Sequence, residues 1–131
     1  MIKLYVDAAS NGKAIGIGYV LYKDKEQFPV SKGKKSRLNN HQAEFYAVCV
    51  ALMDIKEQNL HEETLCLYSD SKVVVQALNR KSAKGEWQHP YLEQILPLLE
   101  LYRLYFVEWF HQKDNQLPDQ LAKRALIQYK E

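Results

Sequence analysis

The sequence predicts an α/β fold, a five-stranded mixed sheet flanked by helices, built as one domain over residues 1–131. Three observations predict it. Alternation of period two fills the first thirty-odd residues; spacings of three and four take over at Gln42; and two later apolar runs, Thr64 to Tyr68 and Leu104 to Phe110, each follow a helical stretch. Strands close in sequence pair antiparallel as a meander, whereas strands separated by helices run parallel through right-handed crossovers.

Each element has its own warrant. Ile2, Leu4 and Val6 alternate with Lys3, Tyr5 and Asp7, which predicts a first strand closed by Asp7. Asn11-Gly12 supplies turn chemistry, and Ile15 to Tyr22 follows as a second strand with Gly16 and Gly18 inside it. Beyond the charged turn Lys23 to Glu26, Gln27 to Gly33 is a weaker third strand, and Ser36 to Asn40 is a polar loop. A helix is predicted from Gln42 to about Gln58, with Ala47, Val48, Ala51, Leu52 and Ile55 on one stripe. Thr64 to Tyr68 is the fourth strand. It enters Ser69-Asp70-Ser71, after which Val73, Val74, Ala77 and Leu78 mark a second helix that ends between Asn79 and Lys84. His89-Pro90 opens a third helix, which Pro97 is expected to kink or restart. Leu104 to Phe110 is the fifth strand, and Pro118 opens a last helix with Ala122, Ala125, Leu126 and Tyr129 inward.

Composition limits the classes open to this chain. Its 131 residues, 47% hydrophobic and 26% charged, are ordinary for one globular domain. A domain of this length buries roughly two-thirds of the surface its unfolded chain exposes, enough for a core without disulfides. Cys49 and Cys66 lie far apart in apolar stretches and form no C-x-x-C pair, so they read as reduced thiols of a cytoplasmic protein. The N-terminus begins as a strand without a secretory leader pattern. The longest mostly apolar run, Ala43 to Met53, contains Glu44 and falls short of the ~20 residues that cross a bilayer. Eighteen Lys and Arg against sixteen Asp and Glu leave a charge of +2, which by itself names no partner.

Four carboxylates stand at the ends of elements or on their apolar sides. Asp7 ends the first strand, Glu44 lies on the inward stripe of the first helix, Asp70 follows the fourth strand, and Asp119 precedes Ala122 and Leu126 on the last helix. Plain explanations exist for three of them singly. Asp70 with Ser71 can cap a helix, Asp119 in a first turn favours the helix dipole, and Asp7 can be a turn residue. Glu44 resists such an explanation, because an ionised acid on an inward stripe needs a partner. If the first and fourth strands are parallel neighbours, Asp7 and Asp70 come together at the sheet edge that ligands favour. Acids crowded there raise one another's pKa unless cations neutralise them. Oxygen-only ligation selects Mg²⁺ or Mn²⁺ over zinc, and two such ions can activate a water and stabilise the leaving oxygen of a phosphoryl displacement.

On these residues the chain resembles type 1 ribonuclease H along nearly its whole length. The resemblance rests on Tyr5-Val6-Asp7-Ala8-Ala9-Ser10-Asn11-Gly12, Asn39-Asn40-His41-Gln42-Ala43-Glu44, Tyr68-Ser69-Asp70-Ser71 and Asn115-Gln116-Leu117-Pro118-Asp119-Gln120-Leu121-Ala122. It implies the ribonuclease H-like fold and a metal-dependent endonuclease that hydrolyses the RNA strand of RNA/DNA hybrids, leaving a 3′-hydroxyl and a 5′-phosphate. It further implies that Asp7, Glu44, Asp70 and Asp119 are catalytic and hold two Mg²⁺ ions, with Asp7 bridging them and Mn²⁺ a possible substitute. The substrate contacts it implies are Ala8, Ser10, Asn11, Gly12, Asn39, Asn40, His41, Ser71 and Asn115, several of them toward the 2′-hydroxyls that separate RNA from DNA. The expected partner is the hybrid, and the expected state a monomer away from membranes.

The chain departs from the resemblance in three places. Asn79 to Pro90 offers only Arg80, Lys81 and Lys84, so the basic handle of the best-known bacterial members is missing and the form is compact. The loop before the last helix reads His111-Gln112-Lys113-Asp114, which leaves open whether His111, Lys113 or neither stands for the family's loop histidine. Asn40 precedes Glu44 by four residues, so His41 is an alternative in the amide's place. Lys32, Lys34, Lys35 and Arg37, with Lys81 and Lys84, form either a phosphate track or a solvated loop. Trp87 is the aromatic expected to touch nucleic acid, and Trp109 is expected to pack. The competing reading is a catalytically weak nucleic-acid-binding module of the same fold. Exonucleases and integrases of this superfamily fit poorly, because Asp7 is followed by Ala8 and Ala9 and the last acid is an aspartate.

Overall fold

A computed structural model describes residues 1–114 and 116–129, with the side chain of Gln112 left out. The strands are β1 (Ile2–Ser10), β2 (Ala14–Lys23), β3 (Glu26–Lys35), β4 (Thr64–Ser69) and β5 (Leu104–Trp109). The helices are α1 (Asn40–Lys56), α2 (Lys72–Arg80), α3 (His89–Glu100) and α4 (Gln116–Gln128). The sheet order is β3-β2-β1-β4-β5, with antiparallel pairing among the first three strands and parallel pairing of β4 with β1 and of β5 with β4. This is the mixed five-stranded sheet that the sequence predicts.

Two faces of the sheet are covered differently, and the sequence shows why. Ile2, Leu4 and Val6 of β1 and Leu65 and Leu67 of β4 are fully buried with the stripe of α1, which packs on β1 and against α3. On the opposite face α4 lies across β2, β3 and β1. Ala14 to Leu21 is therefore buried without interruption, as expected of a strand covered on both sides. The glycines inside it let α4 sit directly on the backbone: a Cβ on Gly16 would collide with the Ala122 carbonyl, and one on Gly18 with the Pro118 carbonyl. Because Gly18 is the cross-strand partner of Asp7, this close approach brings the first turn of α4 beside β1.

Several boundaries differ from the sequence reading. β1 continues to Ser10, paired with Ile15, so Asp7 sits within the strand rather than closing it. Asn11 takes up the turn, its side-chain oxygen accepting from the backbone of Lys13 and Ala14 at 2.9 and 2.8 Å, while Gly12 adopts φ +85°. α1 begins at Asn40, two residues early, because Asn39 and Gln42 form a reciprocal capping box with bonds of 2.9 and 3.0 Å. α3 runs unbroken through Pro97. Pro97 and Glu93, the residue whose carbonyl loses its intrahelical donor, are both exposed, so water can satisfy that carbonyl. α4 begins at Gln116, and Pro118 is tolerated in the first turn because amides there have no intrahelical acceptor. Leu121 joins Ala122 and Ala125 in the core, with Leu126 and Tyr129 only half-buried.

The edge strand β5 is tied to α2, where the Asn79 amide donates to the Val107 carbonyl at 3.1 Å. Cys49 and Cys66 are free and buried, and burial pushes the Cys49 thiol up to about 11. Among the described residues no helix is long and apolar enough to cross a membrane.

Candidate metal centre

Parallel pairing of β1 with β4 puts Asp7 and Asp70 at one end of the sheet, and the early start of α1 brings Glu44 over the same spot. Asp7, Glu44 and Asp70 each offer a carboxylate oxygen within 4.8 Å of the others. Asp7 is only 3% exposed, and one of its oxygens accepts the Ala8 backbone N–H at 2.8 Å. Burial, then the negative charge of Asp70, pushes Asp7 up to about 7 against the partial relief given by Ala8. Glu44 is raised well above the usual glutamate range, first by burial and then by Asp7 and Asp70.

Asp119 borders the same cavity of about 520 Å³ from α4, close enough to Asp7 to add to its shift. It is not one of the three converging acids. Its Oδ2 meets Lys123 Nζ at 3.0 Å, one helical turn along, and Lys123 also lines the cavity. The only sequence signal for Lys123 is its i+4 spacing from Asp119.

The predicted substrate contacts divide by position. Ala8, Ser10, Asn40, His41 and Ser71 line the cavity. Ser10 Oγ donates to the Leu38 carbonyl at 2.7 Å, which ties the end of β1 to the loop before α1. Ser71 Oγ caps α2 by accepting from Val74 N at 3.3 Å. Asn11, Gly12 and Asn39 lie outside the lining, with the two asparagine oxygens engaged in the turn and the cap. Asn115 falls outside the described residues. His111 and Lys113 border a smaller hollow on the far side of Asp119 with Gln116 and Gln120, and His111 Nδ1 accepts the Lys113 backbone N–H at 3.3 Å.

Three of the basic residues have partners of their own. Lys32 pairs with Asp54 at 2.6 Å, Lys34 donates to Tyr46 at 2.8 Å, and Lys81 pairs with Glu100 at 3.4 Å. Trp87 stands edge-on to Phe45 and remains partly exposed. Trp109 departs from the packing role expected of it. It is 41% exposed because β5 is an edge strand, and its indole N–H donates to the Asp70 carbonyl at 2.9 Å.

Three converging acids that repel one another, one buried and two half-buried, with oxygen donors only, form a ligand set suited to a hard divalent cation. Comparison with known proteins agrees on the fold and places the family. A family model described as RNase H matches residues 1–127. EbsB of Enterococcus faecalis, named only as a hydrolase, is 35% identical over 98% of this chain and 96% of its own length. YpeP of Bacillus subtilis is 29% identical over 95% of this chain, which spans 58% of that longer protein. Among solved structures, RNase H1 from the halophilic archaeon Halobacterium salinarum superimposes with a TM-score of 0.85 at 23% identity, covering 98% of each chain. LC11-RNase H1, solved in complex with an RNA/DNA hybrid, superimposes with a TM-score of 0.86 at 20% identity over 97% of each chain. With only the stretch from Lys81 to Gly85 between α2 and the short 3₁₀ turn Glu86–Gln88, where a basic handle would stand, the chain belongs to the RNase H family and is a ribonuclease H of compact form.

Proposed function

We propose that this chain is a Mg²⁺- or Mn²⁺-dependent endonuclease that cuts the RNA strand of RNA/DNA hybrids and leaves 3′-hydroxyl and 5′-phosphate ends. The observation that carries the reading is the convergence of Asp7, Glu44 and Asp70 within 4.8 Å, two of them with pKa values raised by burial and mutual repulsion. Acids so arranged destabilise the fold once ionised, unless a cation neutralises them. Asp7, Glu44 and Asp70 would hold the metal, with Asp119 available from α4. Metal bound there would lower the pKa of a water and stabilise charge on the departing oxygen.

The remaining work belongs to the chain's own residues. Lys72 and Lys123 are the lysines on the cavity wall and supply attraction for a phosphate backbone. Ala8, Ser10, Asn40, His41 and Ser71 form the polar rim on which the 2′-hydroxyls of the RNA strand are read. In this reading the whole of residues 1–131 is one such domain, and the buried free thiols suit a reducing compartment such as the cytoplasm. The missing handle, with Lys32 and Lys81 occupied by acids of their own, favours weak hybrid affinity and keeps a poorly active binding module as the second reading.

End-labelled RNA/DNA hybrid, RNA duplex and DNA duplex, each incubated with the chain and with Mg²⁺, Mn²⁺ or chelator, test the proposal. Metal-dependent internal cuts confined to the RNA of the hybrid are expected. Intact hybrid at every metal concentration, or unchanged cutting by Asp7→Asn, defeats the enzymatic reading; retained hybrid binding in that case selects the second.

A further inference from the structure

We infer that Trp109 is a positioning residue for the metal centre, holding the backbone of Asp70 so that its carboxylate meets those of Asp7 and Glu44. The inference rests on the proposed metal-binding role of that site. The β4 backbone leaves the sheet after Ser69, the residue registered opposite Trp109, and Phe110 N donates the last bond to the Ser69 carbonyl at 3.2 Å. Asp70 therefore stands at a bend between a strand end and the start of α2. Its carboxylate must be aimed from a stretch that regular pairing no longer fixes. The indole N–H of Trp109 reaches across from the neighbouring strand and donates to the Asp70 carbonyl at 2.9 Å.

The indole is itself held in place. Lys72 Nζ lies over the ring at 4.9 Å from its centroid, and the His111 ring stands at 6.0 Å. Although Trp109 is 41% exposed on an edge strand, its indole N–H is turned to a protein acceptor rather than to water. On the α2 side of Asp70, Ser71 N donates to Ser69 Oγ at 3.1 Å, a local turn bond within the bend itself. Trp109 supplies a link from a different element, across 39 residues of sequence. Residues that orient metal ligands without touching the metal commonly change its affinity by about 10- to 100-fold when altered.

The test uses Trp109→Phe, and Trp109 replaced by its sulfur isostere 3-benzothienylalanine, which keeps the ring volume and removes only the N–H. Mn²⁺ affinity of the substrate-free protein is measured by calorimetry, beside the metal-free thermal midpoint. We expect both replacements to weaken Mn²⁺ binding by about ten-fold, the lower end of that range, with the isostere's midpoint unchanged and, on the hybrid, kcat lowered at constant KM. Parental Mn²⁺ affinity in the folded isostere overturns the inference, and that variant decides if Trp109→Phe fails to fold. A parent chain that binds Mn²⁺ yet leaves the hybrid intact defeats the cleavage reading alone, since Trp109 is still judged on metal affinity.

Discussion

Asp7 couples the chemistry of the site to the stability of the chain. Its carboxyl stands at about 7 in the folded protein against an ordinary value of 3.8, so between those values the folded state binds more protons than the unfolded one. Folding stability contributed by this group is undisturbed below pH ~4 and falls as pH rises toward 7, the opposite of a salt-bridged aspartate. Glu44 is shifted in the same direction and adds to the effect. Asp7→Asn should therefore raise the metal-free thermal midpoint by several degrees at pH 8 and have little effect near pH 4, as read by calorimetric scans at both values. Asp70→Asn is expected to abolish turnover on the hybrid while also raising that midpoint. A large drop instead would make Asp70 a structural residue. Saturating Mg²⁺ should stabilise the parent most where the acids are ionised, at the upper end of this range.

At the scale of elements, the placement of α4 is the most demanding feature. Gly16 and Gly18 give the helix direct access to the backbone of β2, and through that contact Asp119 reaches the acidic cavity. Gly18→Ala should displace the helix, lower stability by about 1–3 kcal/mol in denaturant melts, and reduce activity more than an alanine at exposed Gly12's neighbour Lys13 would. Much of this arrangement is legible in the sequence. Alternation in β1, the stripe of α1 and the order of strands and helices predict the sheet, and the parallel neighbours β1 and β4 predict that Asp7 and Asp70 meet. Less legible is what depends on side chains closing local bonds. The Asn39–Gln42 capping box moves the start of α1, the Pro97 helix survives because the affected carbonyl can face water, and the Trp109 indole serves Asp70 from an edge strand. The partners of the lysines, Asp54, Tyr46 and Glu100, are hidden for the same reason, since they lie 12 to 22 residues away in sequence.

Over the whole molecule, a charge of +2 conceals a division. Setting aside the four acids of the proposed site leaves twelve against eighteen basic residues, so the rest of the chain carries +6. Bound cations would reverse the local sign of the site and let a polyanion approach. With Lys32 neutralised by Asp54, attraction should rest on lysines nearer the acids. Hybrid affinity followed by anisotropy between about 50 and 200 mM salt should lose about 0.7–0.9 of its log–log slope on Lys72→Ala and none on Lys32→Ala. Equal changes from the two would mean that the backbone contacts are spread over the surface.

An open five-stranded sheet also has two rims, and each is guarded. On the β3 side, Pro29 removes a donor from the outermost strand, and Lys34 and Lys35 put charge along it. On the β5 side, the Asn79 amide already occupies the Val107 carbonyl, and α2 leans over the strand that exposes Leu104 and Phe106. A stray strand from a second chain therefore meets a missing donor on one rim and a satisfied acceptor on the other. The sheet is thereby protected against extending into itself.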